Sequence, residues 1–104
     1  MKELYEAIAK RLRNGESVVL ATVLKSSGST PRGAGAQMLV FENGTTMGTV
    51  GGGTVEYETG KLGVTLLREK RSEVKRYQLT NDQVADLGMI CGGRVTVALQ
   101  YIPA

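Results

Sequence analysis

Gly48-Thr49-Val50-Gly51-Gly52-Gly53-Thr54-Val55-Glu56 is the stretch that decides how this chain folds. It reads as the end of a strand, three consecutive glycines and the start of a helix. Without Cβ atoms the bend lets another group approach the backbone closely. It also aims the open N–H groups and the positive end of a helix dipole at whatever lies in front of it. An anion is the natural occupant. A tight change of chain direction is the alternative, although one glycine is enough for most turns.

Beyond the bend, residues about 54–71 are expected to be helical, with Val55, Leu62, Leu66 and Leu67 along one side. Gly60 and Gly63 weaken that helix by about 1 kcal/mol each where exposed, and would permit close packing on a sheet. Before the bend, strands are expected at about 36–41 and 45–50, joined by Asn43-Gly44 as a tight hairpin with both central residues at positive φ. Val18 to Leu24 is a nearly continuous apolar run, a strand buried on both faces. Residues about 2–14 form an amphipathic helix through Leu4, Tyr5, Ile8 and Leu12, stopped by Asn14-Gly15. Ser26 to Gly33 reads as a polar loop.

After the long helix a fourth strand is expected at about 73–79, then a polar loop from Thr80 to Gly88 leading to Met89-Ile90-Cys91-Gly92-Gly93. The closing strand alternates cleanly, with Val95, Val97, Leu99 and Tyr101 on one face. The expected fold is α/β (α+β): a two-layer arrangement of a mixed β-sheet of about five strands with two helices.

Bulk properties narrow the function classes. The 104 residues suit one domain, residues 1–104, with 41% hydrophobic and 22% charged side chains. No apolar run approaches a membrane span, and the N-terminus does not read as a secretory signal, so no membrane partner is expected. One cysteine excludes an internal disulfide and favours a cytoplasmic home. A net charge of +3 suits an acidic small molecule or partner, but falls short of a nucleic-acid signature. Arg68, Lys70, Arg71, Lys75 and Arg76, interleaved with Glu69 and Glu73, read as a solvated helix end rather than a binding patch. The absence of histidine excludes Ser-His-Asp and Cys-His catalytic sets and histidine-based zinc or iron sites within the chain.

Three small-residue loops could carry chemistry: Ser26 to Gly35, Gly51 to Thr54 and Cys91 to Gly93. Each adjoins a strand end, so all three could converge on one rim of the sheet. Glu56 lies in the first helical turn, where it either caps the helix or accepts a ligand N–H; Thr54 could be the N-cap. Pro31 stiffens the loop that holds Arg32, whose planar fork suits phosphate or carboxylate when it is not simply a surface ion pair. Arg94 is ambiguous in the same way. Cys91 is either a small buried hydrophobe or a thiolate able to bind a soft metal or pass sulfur.

Taken together, Ser27-Gly28-Ser29-Thr30-Pro31-Arg32 with Gly35, Gly48-Thr49-Val50-Gly51-Gly52-Gly53 with Glu56, and Met89-Ile90-Cys91-Gly92-Gly93-Arg94 resemble the N-terminal domain of the XdhC/CoxI family. The motifs fall in the family's order, and the resemblance covers essentially the whole chain. It implies an accessory factor, not an enzyme, that binds the molybdenum cofactor (molybdopterin) as transient cargo. Such a factor assists the cofactor's sulfuration and insertion into a molybdenum hydroxylase of the xanthine, aldehyde or carbon monoxide dehydrogenase type. Carried over by position, Ser29, Thr30, Arg32, Gly51, Gly52, Gly53, Glu56, Cys91 and Arg94 become the expected cofactor contacts, with Cys91 on the metal.

Longer members add a C-terminal Rossmann-like domain, and the sequence given stops at Ala104, which reads as either a one-domain member or a fragment. The expected partners are therefore a client hydroxylase, a cysteine desulfurase, and either a second copy of this chain or a separate Rossmann-domain protein. Two other functions remain open: a sulfur relay through a Cys91 persulfide, and a partner of the hydroxylase that binds no cofactor.

Overall fold

A computed structural model describes residues 2–27, 33–78 and 93–104. Its elements follow the order α1 (Lys2–Arg13), β1 (Val18–Ser27), β2 (Gln37–Phe41), β3 (Thr46–Gly48), α2 (Gly53–Glu69), β4 (Glu73–Gln78) and β5 (Arg94–Ile102). The strands form one sheet in the order β3-β2-β1-β5-β4. The expected α+β fold of five strands and two helices is therefore present among the described residues.

Every hydrogen-bonded pair is antiparallel, where a mixed sheet was expected. The reason lies in where α2 carries the chain. Strands β3 and β4 on either side of it run in the same direction, as a strand–helix–strand unit requires. They sit at opposite edges with three strands between them, so no parallel ladder forms.

The helices also lie on opposite faces, which corrects the two-layer expectation. Side chains alternate across a strand. On one face Val19, Ala21, Val23, Met38, Val40, Val95, Val97 and Leu99 pack against Val55 and Leu66 of α2. On the other, Val18, Leu20, Leu39 and Phe41 pack against Leu4 and Ile8 of α1. Strand β1 is central and supplies both cores, as its unbroken apolar run predicts.

Helix α1, about 18 Å long, covers only part of its face. Its Tyr5 hydroxyl donates to Gln37 Oε1 (3.3 Å), and Gln37 Nε2 donates to Thr22 Oγ1 (3.1 Å). Beyond Thr22 that face carries no helix among the described residues. No helix among them is long and apolar enough to cross a membrane.

Several local expectations shift. β1 runs on to Ser27, because Ser26 and Ser27 pair with Val95 and Arg94 of β5. Pairing outweighs the turn preference of serine. At the hairpin only Gly44 takes positive φ, while Asn43 Oδ1 accepts from the Thr45 N–H (3.1 Å). A three-residue loop closed by a glycine bulge therefore replaces the two-residue turn. The buried stripe of α2 runs Val55, Thr59, Gly63, Leu66, with Leu62 and Leu67 only half-buried beside it. Gly63 lets the helix settle onto Val40: a Cβ there would lie 2.7 Å from Val40 Cγ2.

Candidate functional site

All five strands present one end to the same rim: the last residues of β1, β3 and β4 (Ser27, Gly48, Gln78) and the first of β2 and β5 (Gln37, Arg94). The glycine bend follows β3 on that rim. It is tied to β2 by the Thr49 N–H, which donates to the Gln37 carbonyl (3.1 Å). Gly51, Gly52 and Gly53 all take positive φ (127°, 83° and 60°), so the bend does require three residues without Cβ. Gly52 is the N-cap of α2 and has no side chain to offer; Thr54, the expected N-cap, lies inside the helix.

The anion attracted by this bend is the protein's own. Glu56 Oε1 accepts the Gly52 N–H (3.1 Å), the Val50 N–H (3.3 Å) and the Thr49 hydroxyl. The Gly51 N–H donates to Thr49 Oγ1 (3.0 Å). One half-buried carboxylate thus ties three donors of the bend together and sits at the positive end of the helix dipole. Of the two roles open to Glu56, the geometry displays the capping one. Gly53 and Glu56 also border a groove of about 680 Å³ along α2, whose far end reaches Lys61 and Arg68.

Arg94 stands elsewhere on the rim, three strands from β3 and level with Ser27 rather than Ala21, so roughly 20 Å away at ordinary strand dimensions. It lines a separate cleft of about 570 Å³ with Lys25, Ser27, Arg76, Gln78 and Thr96. These six share the face that α1 leaves uncovered. Lys25 and Arg76 are both Cα partners of Thr96, and Ser27 and Gln78 are both partners of Arg94. Three cations therefore stand on neighbouring strands around a buried threonine.

Ser29, Thr30, Arg32 and Cys91 lie outside the described residues. Of the expected contacts that are described, Gly53 and Glu56 share one cleft and Arg94 lines another. No group of three or more metal-ligating side chains occurs among the described residues. Sequence reasoning passed over Lys25 and took Arg76 for part of the solvated cluster. Of that cluster, Arg71 is neutralised by Glu69 (2.6 Å) and Glu73 (2.7 Å). Arg76 faces the other way, and only the strand register reveals it.

On the α2 face of the same rim, the Tyr77 hydroxyl lies 3.1 Å from Oγ1 of the fully buried Thr59. Burial pushes the Tyr77 phenol above its ordinary pKa, against the hydrogen bond to Thr59, and the carboxylates of Glu58 and Glu73 add to the rise.

Comparison with known proteins places the chain. The model of the XdhC and CoxI family matches residues 11–78. An Escherichia coli K12 protein named molybdenum cofactor insertion chaperone PaoD is 33% identical over 91 residues, 88% of this chain and 28% of PaoD. The uncharacterized YqeB of the same organism is 35% identical over 78 residues, 75% of this chain and 14% of YqeB. A crystal structure described as a xanthine dehydrogenase from Bacillus halodurans superposes with a TM-score of 0.72 at 28% identity, over 92% of this chain and 29% of that one. The chain thus spans less than a third of each of these relatives. With its family model matched over most of the length and its strand ends gathered on one rim, the chain belongs to the XdhC and CoxI family.

Proposed function

We propose that this protein is an accessory factor in molybdenum hydroxylase maturation. It holds the molybdenum cofactor as cargo, assists its sulfuration and delivers it to the hydroxylase in the cytoplasm. The observation that carries this reading is the similarity to PaoD, whose name describes cofactor insertion, over 88% of this chain. The chemistry of the rim supports it. A phosphate-bearing cargo suits a cationic cleft, and the rim carries both ends of the Cys91 segment, Gln78 and Gly93. It also carries Ser27, from which the Ser29 to Arg32 segment continues.

The protein acts in this reading as a carrier rather than a catalyst. Gly51, Gly52 and Gly53 contribute shape, and Glu56 holds the bend in that shape. Ser29, Thr30, Arg32 and Arg94 supply polar contacts, and Cys91 supplies the soft ligand for the metal. The chain makes up about a quarter of PaoD's length, so its client hydroxylase, a desulfurase and a second copy or Rossmann-domain protein belong to the proposal.

The test mixes the purified protein, without oxygen, with cofactor released from a donor molybdoenzyme. Molybdenum should co-elute with the protein, Cys91→Ser should lower the molybdenum retained, and the loaded protein should activate an apo-hydroxylase. Absence of co-eluting molybdenum from both the protein and its complex with a Rossmann-domain partner would reject the reading.

A further inference from the structure

We infer that the cleft between Lys25, Arg76 and Arg94 is a binding site for a phosphate-bearing anion, and that the glycine bend is not. Two independent observations carry this. At the bend, the N–H groups of Val50 and Gly52 already donate to Glu56, so an anion drawn to them meets a tethered carboxylate of its own charge. Tethering gives Glu56 a high local concentration that a free ligand must overcome.

The second observation is the composition of the cleft. Lys25 and Arg76 flank Thr96 from the two neighbouring strands, about 10 Å apart at ordinary strand spacing. Arg94 stands two residues along β5 from Thr96, roughly 7 Å away. Three like charges sit within about one Debye length of each other at physiological salt. None of the three enters a salt bridge among the described residues, whereas Arg11 and Arg71 do. No carboxylate lines the cleft among the described residues.

Such an arrangement lowers its own stability until an anion joins it. A phosphate or diphosphate group fits, because two guanidinium forks and an ammonium can each give charge-assisted hydrogen bonds to its oxygens. Ser27 and Gln78 stand beside them as neutral donors. The volume of about 570 Å³ suits a small ligand bearing such a group. That this group is the phosphate end of the cofactor rests on the function proposed above. The anion site itself does not.

Inorganic pyrophosphate is the probe, titrated into the full chain and followed by calorimetry and amide chemical shifts. Saturable binding is expected, weakening as salt is raised, with shifts centred on residues 25–27, 76–78 and 94–96. Arg76→Gln and Lys25→Gln should each weaken it about tenfold. Both side chains are exposed, and circular dichroism checks that the variants keep the fold. Absence of saturation at millimolar pyrophosphate, unchanged affinity in both variants, or shifts centred on residues 50–54 would overturn the inference. A second arm titrates isolated cofactor. Pyrophosphate binding without cofactor binding would keep the anion site and remove its link to the cargo.

Discussion

Truncating Glu56 to alanine tests whether this side chain builds the glycine bend. Its Oε1 takes two backbone N–H groups and a hydroxyl. Each such bond contributes about 0.5–1.5 kcal/mol net, and more when the acceptor is charged. Placement at a helix N-terminus adds about 0.3–1 kcal/mol. The side chain is half-buried, so water recovers part of what is lost. Glu56→Ala should therefore cost about 2–3 kcal/mol, a fall of roughly 10–20 °C in Tm for a domain of this size. Glu56→Gln keeps an acceptor oxygen in reach and forfeits only the charge, so it should cost about 1 kcal/mol. Urea unfolding followed by circular dichroism at pH 7 measures both. If Glu56→Ala lay within about 0.5 kcal/mol of the parent, or Glu56→Gln cost as much as the alanine variant, the carboxylate would not organise the bend.

Two glycines in α2 should respond in opposite senses. At Gly60 a Cβ would meet nothing closer than 3.8 Å, so Gly60→Ala should stabilise by up to about 1 kcal/mol through helix propensity. At Gly63 it would lie 2.7, 2.8 and 2.9 Å from three carbons of Val40. Overpacking of about 1–3 kcal/mol then outweighs the same gain, and Gly63→Ala should melt lower. Because Val40→Ala removes the two colliding methyls, the double variant Val40→Ala/Gly63→Ala should recover part of the loss in a double-mutant cycle. Additive costs would contradict the contact. Tyr77 supplies a pH prediction. Its folded pKa is raised, so its contribution is complete below the unfolded value of about 10 and is lost as pH climbs from there through the folded value. Tyr77→Phe should flatten that alkaline decline in stability while costing about 1 kcal/mol at neutral pH, since Thr59 Oγ1 loses its partner. An unchanged alkaline slope would place the titration in another group.

Which parts of this architecture were legible before folding follows from the physics each residue obeys. The alternation of Val95, Val97, Leu99 and Tyr101 reports a single buried face directly, and so does the double-sided apolar run of β1. Asn14-Gly15 ends α1 where local turn chemistry says it should. Thr59 and Gly63 escaped because a hydroxyl and a missing side chain carry no hydrophobic signal, although both are buried. Ser26 and Ser27 read as loop because their strand state comes from β5, about 70 residues further on. The site divides in the same way. That Glu56 sits at a helix start is a local matter, and its capping role was among the two foreseen. The meeting of Lys25, Arg76 and Arg94 depends on which strands are neighbours, and no local pattern encodes that.

The register of β1 against β5 slips between Val23, opposite Val97, and Lys25, opposite Thr96. Leu24 is the extra residue at this point. Were the ladder to run on with every residue kept and no slip, Lys25 would fall opposite Val95 in the oily layer beneath α2, and Ser26 would take its place at the rim. The half-exposed Leu24 therefore turns the end of β1 over and keeps an ammonium group out of the valines. A deletion of Leu24 alone should be mild, because it straightens the strand and leaves Lys25 opposite Thr96.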